Sequence, residues 1–272
     1  MRGVSVIDTV LSLLRCPICA DALAREGGSL RCPRGHGFDL ARQGYAHLGA
    51  GRRLPTGDTA EMVAARSAFL QAGHYARVRA AVAALVPADA EVIADAGAGI
   101  GYYLAGALDA APAAAGLALD VAKPALKRAA RCHPRAGAVL ADVWGGLPIR
   151  DAAVDVLLDV FAPRNGPEFA RILRPGGRLI VVTPLPEHLA ELRARYGLLD
   201  VDPEKRERLA ATLKEFAPGT AGELRWTMAL RPAEVATLVG MGPNAFHAGA
   251  VDAGRQLTDV TAAVSVAVYT PR

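Results

Sequence analysis

The stretch Asp95 to Gly101, DAGAGIG, constrains this chain more than any other. Apolar Val92-Ile93-Ala94 lead into it, and Tyr102 to Leu108 follow with no proline and a single glycine. A strand that passes through a glycine turn into a helix is the opening unit of a parallel α/β sheet, with a ligand loop at the strand's carboxyl end. Glycines at 97, 99 and 101 permit positive-φ turns and let a ligand reach the main chain without meeting a Cβ. A dinucleotide fingerprint would need glycines at 97, 99 and 102, but position 102 is Tyr. Asp95, two residues before the first glycine, would repel a pyrophosphate and suits an ammonium or a sulfonium. S-adenosylmethionine (SAM) carries both cations, so Asp95, Gly97, Gly99 and Gly101 read as its loop. A glycine turn that binds nothing is the competing reading.

From residue 91 apolar strands alternate with helical segments: EVIADA, GLALD, AVLAD, VDVLLDVF and GRLIVVT, then GELRWTMALR and TDVTAAVSVAVYT. The pattern predicts a Rossmann-like α/β fold of the class I SAM-dependent methyltransferase type. Its sheet would be seven-stranded and mostly parallel, with the last two strands as a reversed edge pair. Ligands of such sheets lie at the carboxyl ends of the strands, so acids there become candidates. Asp120 closes GLALD and is expected to accept the ribose hydroxyls. Asp142 closes AVLAD and either receives the adenine amino group or caps a turn or helix. Upstream, Asp58 with Glu61 resembles a capping box opening a helix that Gly73 ends.

Three of the four cysteines lie between residues 16 and 32, and that clustering favours metal over disulfide in a reducing compartment. Cys16, Cys19, Cys32 and His36 form CxxC, twelve residues, then CxxxH, with EGGS between them as a hairpin turn. Three thiolates and an imidazole make a closed tetrahedral site for one structural Zn²⁺, and so small a unit needs such a staple. Redox chemistry at CPIC is the runner-up and leaves Cys32 and His36 unexplained. Cys132 reads as an ordinary thiol. The glycine-rich, basic stretch around residues 50–57 reads as a linker. The expected division is a zinc-ribbon module over 1–50, a linker to about 57, and a catalytic domain over 58–272. No apolar run reaches the roughly 18 residues of a membrane helix, which points to a soluble cytoplasmic protein with no membrane partner. The net charge of +4 permits a nucleic-acid partner without requiring one.

Five blocks, taken in order, carry a resemblance over nearly the whole chain: CPIC with CPRGH and FDLARQGY; DTAEMVAARSAFLQAGHY; DAGAGIGYY; ADVWGGLPIRD with VFAPRN; and TPLPEHLAEL. With them the sequence resembles the zinc-ribbon-bearing 23S ribosomal RNA guanine-N1 methyltransferases, nearest the Gram-positive, macrolide (tylosin-type) resistance branch. The resemblance implies zinc at Cys16, Cys19, Cys32 and His36, and SAM contacts at Tyr75, at Gly99-Ile100 and at His188. Residue chemistry alone would make Tyr75 a packed aromatic and His188 a surface residue. Ile100 stands where family members often carry an acid or Thr, leaving Asp95 and backbone carbonyls to hold the SAM ammonium. The implied reaction is methylation of guanine N1 in a hairpin of 23S ribosomal RNA, serving either macrolide resistance or housekeeping modification. N1 lies on the Watson–Crick edge, so the base must be unpaired or extruded. Asp159 is the candidate acceptor of the N1 proton by position, or else a strand-end cap. Arg34, Arg42, Arg52 and Arg53 are expected to meet phosphates and Tyr45 to stack on a base, unless the ribbon only packs on the catalytic domain. Many relatives of this type act as dimers, so a homodimer is admitted, although no sequence feature shows it. Two other readings compete: a methyltransferase of a small molecule or protein, and a non-catalytic zinc- and SAM-binding module.

Overall fold

The computed structural model describes residues 6–49, 51, 54–198, 205–242 and 256–272. A short helix, α1 (Val6–Val10), precedes a small antiparallel sheet of β1 (Ala24–Glu26), β2 (Ser29–Arg31) and β3 (Gly37–Asp39). The Gly27-Gly28 turn joins β1 to β2, as EGGS predicts. Then come β4 (Tyr45–His47), α2 (Ala60–Gln71) and α3 (Ala76–Ala84). The alternating run follows: β5 (Val92–Ala96), α4 (Tyr102–Ala110), β6 (Ala115–Asp120), α5 (Lys123–Ala129), β7 (Ala136–Leu140), β8 (Val154–Val160), α6 (Gly166–Ile172) and β9 (Leu173–Pro184). The chain closes with α7 (Ala190–Tyr196), α8 (Lys205–Thr212), β10 (Phe216–Leu230), α9 (Pro232–Gly240) and β11 (Thr258–Pro271).

The large sheet runs β10-β11-β9-β8-β5-β6-β7-β4. Strands β4 to β9 pair in parallel, while β11 is antiparallel to both β9 and β10. The seven expected strands are all present, and the doubly wound methyltransferase-type fold stands. The difference is an eighth strand: β4, from the end of the zinc-binding segment, pairs with β7, Tyr45 opposite Ala138. Tyr45 is thereby buried within the sheet's core, which corrects its expected role as an exposed stacking surface. Three residues carry too little periodicity to announce a strand.

Successive residues of β6 and β7 fill opposite faces, as period-2 geometry requires. Leu117 and Val139 join Ile7, Val10, Leu30 and Phe169 on one face, and Ala118 and Leu140 join Val78, Val82 and Leu104 on the other. Leu23, Leu30 and Phe38 of the zinc-binding segment therefore belong to the same apolar cluster as the sheet. Burying a leucine such as Leu30 contributes roughly 1.5–3 kcal/mol. Helix α2 starts one residue later than Asp58 predicts: Thr59 is the N-cap, its hydroxyl accepting from the Met62 N–H at 3.2 Å. Asp58 instead pairs with Arg66. Gly73, at φ +85°, follows the end of α2 as expected. Arg52 and Arg53 lie outside the described residues. Among the described residues no helix is long and apolar enough to cross a membrane.

Candidate functional site

A cavity of about 260 Å³ opens where β5 and β8 end, at the carboxyl edge of the sheet. Of the residues expected to hold SAM, the structure brings Tyr75, Asp95, Gly97, Gly99, Ile100 and His188 into its wall. Gly97 and Gly101 are required by close approach as well as by φ values of +75° and +79°. A Cβ at 97 would sit 2.6 Å from Ala162 Cβ, and one at 101 only 2.5 Å from Cys132 Sγ. Gly101 is the N-cap of α4 rather than part of the cavity wall. Cys132 packs beneath it, and burial pushes its thiol up to about 12, consistent with an inert structural thiol.

Asp95 is 1% exposed, and its Oδ2 has no hydrogen-bond partner among the described residues. Burial, then the charge of Asp120, push its carboxyl up to about 8, against a hydrogen bond from the Leu104 backbone. An unpartnered buried carboxylate oxygen in a cavity wall is costly unless a ligand satisfies it, and a cation does so best. Asp120, expected to hold the ribose, is not in the cavity wall and instead holds the glycine loop. Its Oδ2 accepts from the Gly99 N–H and its Oδ1 from the Ala122 N–H, both at 2.8 Å. Burial raises its pKa while these two bonds oppose the rise. Asp142 accepts from the Trp144 N–H at 3.0 Å, which is the turn-capping reading, and it lines a second cavity of about 370 Å³ beside Cys16 to Ala20.

Tyr75 and His188 form a buried pair, the tyrosine hydroxyl 3.2 Å from Nε2. The Ala263 N–H donates to His188 Nδ1 at 3.1 Å, so in the neutral ring the proton sits on Nε2 and points at Tyr75. The Tyr75 hydroxyl accepts that proton's bond and keeps its own O–H for a ligand. Burial holds the Tyr75 hydroxyl well above its ordinary range, so it stays a donor. Ile100 contributes an aliphatic wall that packs toward Val63 and Ala122.

Sequence reasoning missed several wall residues, of which Arg66 and Phe161 bring the most chemistry. Arg66, on α2, brings a guanidinium that would lie 3.4 Å from a Cβ on Gly99; it pairs with Asp58 and donates to the Met241 carbonyl at 2.7 Å. An arginine within the otherwise small and apolar VAARSAF was the available signal. Phe161, just past β8, has φ +55° and is 39% exposed as a residue; nothing in VFAPRN announces that turn. Asp159, expected near the methyl acceptor, is not in the wall. It is 0% exposed and pairs with Arg164 at 2.9 Å.

At the other end of the chain, Cys16, Cys19, Cys32 and His36 converge, their ligand atoms all within 4.8 Å of one another. Cys19 and Cys32 sulfurs are 3.6 Å apart, and His36 Nδ1 lies 3.6 Å from Cys16 Sγ and 3.3 Å from Cys32 Sγ. A tetrahedral Zn²⁺ with its usual bond lengths sets sulfur–sulfur edges of about 3.8 Å and sulfur–nitrogen edges of about 3.6 Å. The donor set fits zinc. A redox CxxC pair would have no use for Cys32 and His36.

Residues 14–49 match the zinc-ribbon family described as RlmA, N-terminal. Over 96% of this chain and 98% of the relative, the sequence is 51% identical to a protein of Micromonospora griseorubida assigned by name as a 23S rRNA (guanine-N(1)-)-methyltransferase. It is 45% identical, over 92% of each chain, to the 23S rRNA (guanine(748)-N(1))-methyltransferase of Streptomyces fradiae. A Bacillus subtilis protein assigned to the same guanine-N1 class is 32% identical over 87% of this chain and 88% of its own. Similarity of this degree, sustained from the metal cluster through the glycine loop to the last strands, goes beyond a shared fold: the chain belongs to the 23S rRNA (guanine-N1) methyltransferase family.

Proposed function

We propose that this protein methylates N1 of a guanine in a hairpin of 23S ribosomal RNA, using SAM, and that the modification protects the ribosome from a macrolide. The observation that carries methyl transfer is the orphaned Asp95 oxygen in a cavity framed by the glycine loop. The choice of guanine N1 is supported by the activities named for the relatives. When bound, SAM supplies a methyl on a positively charged sulfur: that S–C bond breaks as the N1–C bond forms, the sulfur keeps the electron pair, and the N1 proton leaves to solvent.

The chain's own groups bind and orient. Asp95 holds the SAM ammonium, Arg66 its carboxylate, and Tyr75, held by His188, donates its O–H to the same end. Asp120 accepts the ribose hydroxyls through lone pairs left by its two backbone bonds, and Asp142 lies toward the adenine. Ile100 adds only apolar contact, so Asp95 and backbone groups carry the cation. With Asp159 locked to Arg164, no carboxylate of this turn takes the proton, and water does.

The zinc segment over 1–50 is the RNA-facing module and 58–272 the catalytic domain, and the exposed Arg42 belongs to the phosphate-binding face. The enzyme works in the cytoplasm, and a homodimer would present two zinc modules to one RNA. Labelled SAM with unmodified 23S rRNA tests the assignment: a primer-extension stop at one guanine is expected. Label in protein or a small metabolite instead would sink the RNA reading, and SAM binding without transfer would leave a silent module. Expression in a macrolide-sensitive host should raise the inhibitory concentration if resistance is the outcome.

A further inference from the structure

We infer that Phe161 is the surface on which the extruded guanine stacks, an inference that rests on the RNA-methylation reading above. Sheet order decides which side of the cavity the acceptor enters. Strand β5, which carries Asp95, lies between β6 and β8. Asp120 ends β6, so the nucleoside half of the donor runs to that side of the glycine loop. The side left for an acceptor is the end of β8, and there the Phe161 ring stands at the cavity wall. Among the described residues it is one of four large apolar side chains with substantial exposure.

The backbone around the ring is built to hold it out. A phenylalanine at φ +55° is strained, and such strain persists only where the surroundings over-determine it. Here they do so three times. The Phe161 N–H donates to the Val182 carbonyl at 3.1 Å. Ala162 fills the space that a Cβ on Gly97 would need. Arg164 reaches back to the fully buried Asp159 at 2.9 Å, tying down the far end of the turn. The inner side of the ring packs on His188, centroids 6.2 Å apart and planes 22° from parallel, with Tyr75 at 6.1 Å. The outer part remains open to solvent. An extruded base gives up its stacking in the RNA, and a rigid aromatic face returns it without an ordering cost. The ring thus adjoins both the Tyr75–His188 pair that orients the donor and the side from which the acceptor comes.

The test compares F161L, which keeps apolar volume but removes the π face, with F161G, which relieves the positive φ and so keeps the backbone turn at no strain. SAM dissociation constants are measured by calorimetry, and single-turnover methyl transfer is followed on an unmodified 23S rRNA transcript. F161L, which keeps an apolar side chain against His188, should bind SAM within about threefold of the wild type, and both variants at saturating SAM should transfer methyl roughly 10- to 100-fold more slowly, the range expected for losing one base–aromatic stack. F161Y and F161W should restore the rate. Transfer by F161L and F161G at the wild-type rate would overturn the proposal. So would a parallel loss of SAM affinity in F161L, which would make the ring a mere prop for His188. If the wild type itself left the transcript unmethylated, the RNA reading would fail first and this inference with it.

Discussion

At the scale of single residues, Asp95 sets the terms. A carboxyl held near pH 8 by burial is neutral below that pH, whereas a cationic ligand binds its ionised form. The SAM dissociation constant should therefore rise as pH falls below about 8, approaching tenfold per pH unit, and D95N should flatten the profile. Stability runs the opposite way. The unfolded chain releases this proton near pH 4, the fold only near 8, so the ligand-free protein loses stability as pH rises through that window. D95N should thus stabilise the ligand-free protein at pH 8 by roughly 3–5 kcal/mol, read as a higher melting temperature, while leaving SAM binding weak and independent of pH. A variant less stable than wild type at that pH would contradict the orphaned-carboxylate account. Tyr75 makes a narrower case. Y75F keeps the ring contacts with Phe69 and Trp226 and removes only the hydroxyl between His188 and the ligand. SAM affinity should fall about 5- to 20-fold, as for one lost hydrogen bond, and the melting temperature should fall modestly because the His188 Nε2–H loses its Tyr75 acceptor; an unchanged dissociation constant in titration calorimetry would place the hydroxyl outside the ligand's reach.

At the scale of elements, the metal segment is tied into the catalytic sheet more closely than a ribbon on a linker would be. Its donors lie on two short turns, yet Leu30 and Phe38 share the core beneath β6 and β7, and β4 extends the sheet edge. Helix α1 presses so near β7 that a Cβ on Gly137 would meet Val10 Cγ2 at 2.5 Å. Stripping zinc with a chelator should accordingly lower the melting temperature of the whole chain in one transition and weaken SAM binding as well as RNA binding. A separate early transition, with SAM affinity intact, would show instead that the metal stabilises its own turns alone. The knuckle itself was legible because a metal site is written in spacing: four donors within 21 residues. The sheet edge was not, because a three-residue strand has too few alternations to register as a pattern and its partner lies some ninety positions away.

At the scale of the whole molecule, β5 lies between β6, which ends at Asp120, and β8, which leads into Phe161. The buried Asp159–Arg164 pair ties down the turn that follows β8, and variants can tell that role from proton transfer. R164M leaves a buried carboxylate without its ion pair and should cost about 3–5 kcal/mol in denaturant unfolding. D159N should also lower stability, with methyl transfer falling only as far as the turn loosens. A transfer rate for D159N that collapses at unchanged stability would return Asp159 to the role of proton acceptor. The sequence by itself determined the parallel α/β fold, the glycine loop at the end of β5 and the four metal donors, because each is encoded in the spacing of neighbours along the chain. Only the tertiary structure decided that Tyr45 is buried, that Arg66 reaches the glycine loop, that Asp159 is spent on Arg164, and that Phe161 is held outward. The physical reason is common to them: each depends on packing between segments or on the course of a turn, which local periodicity does not record.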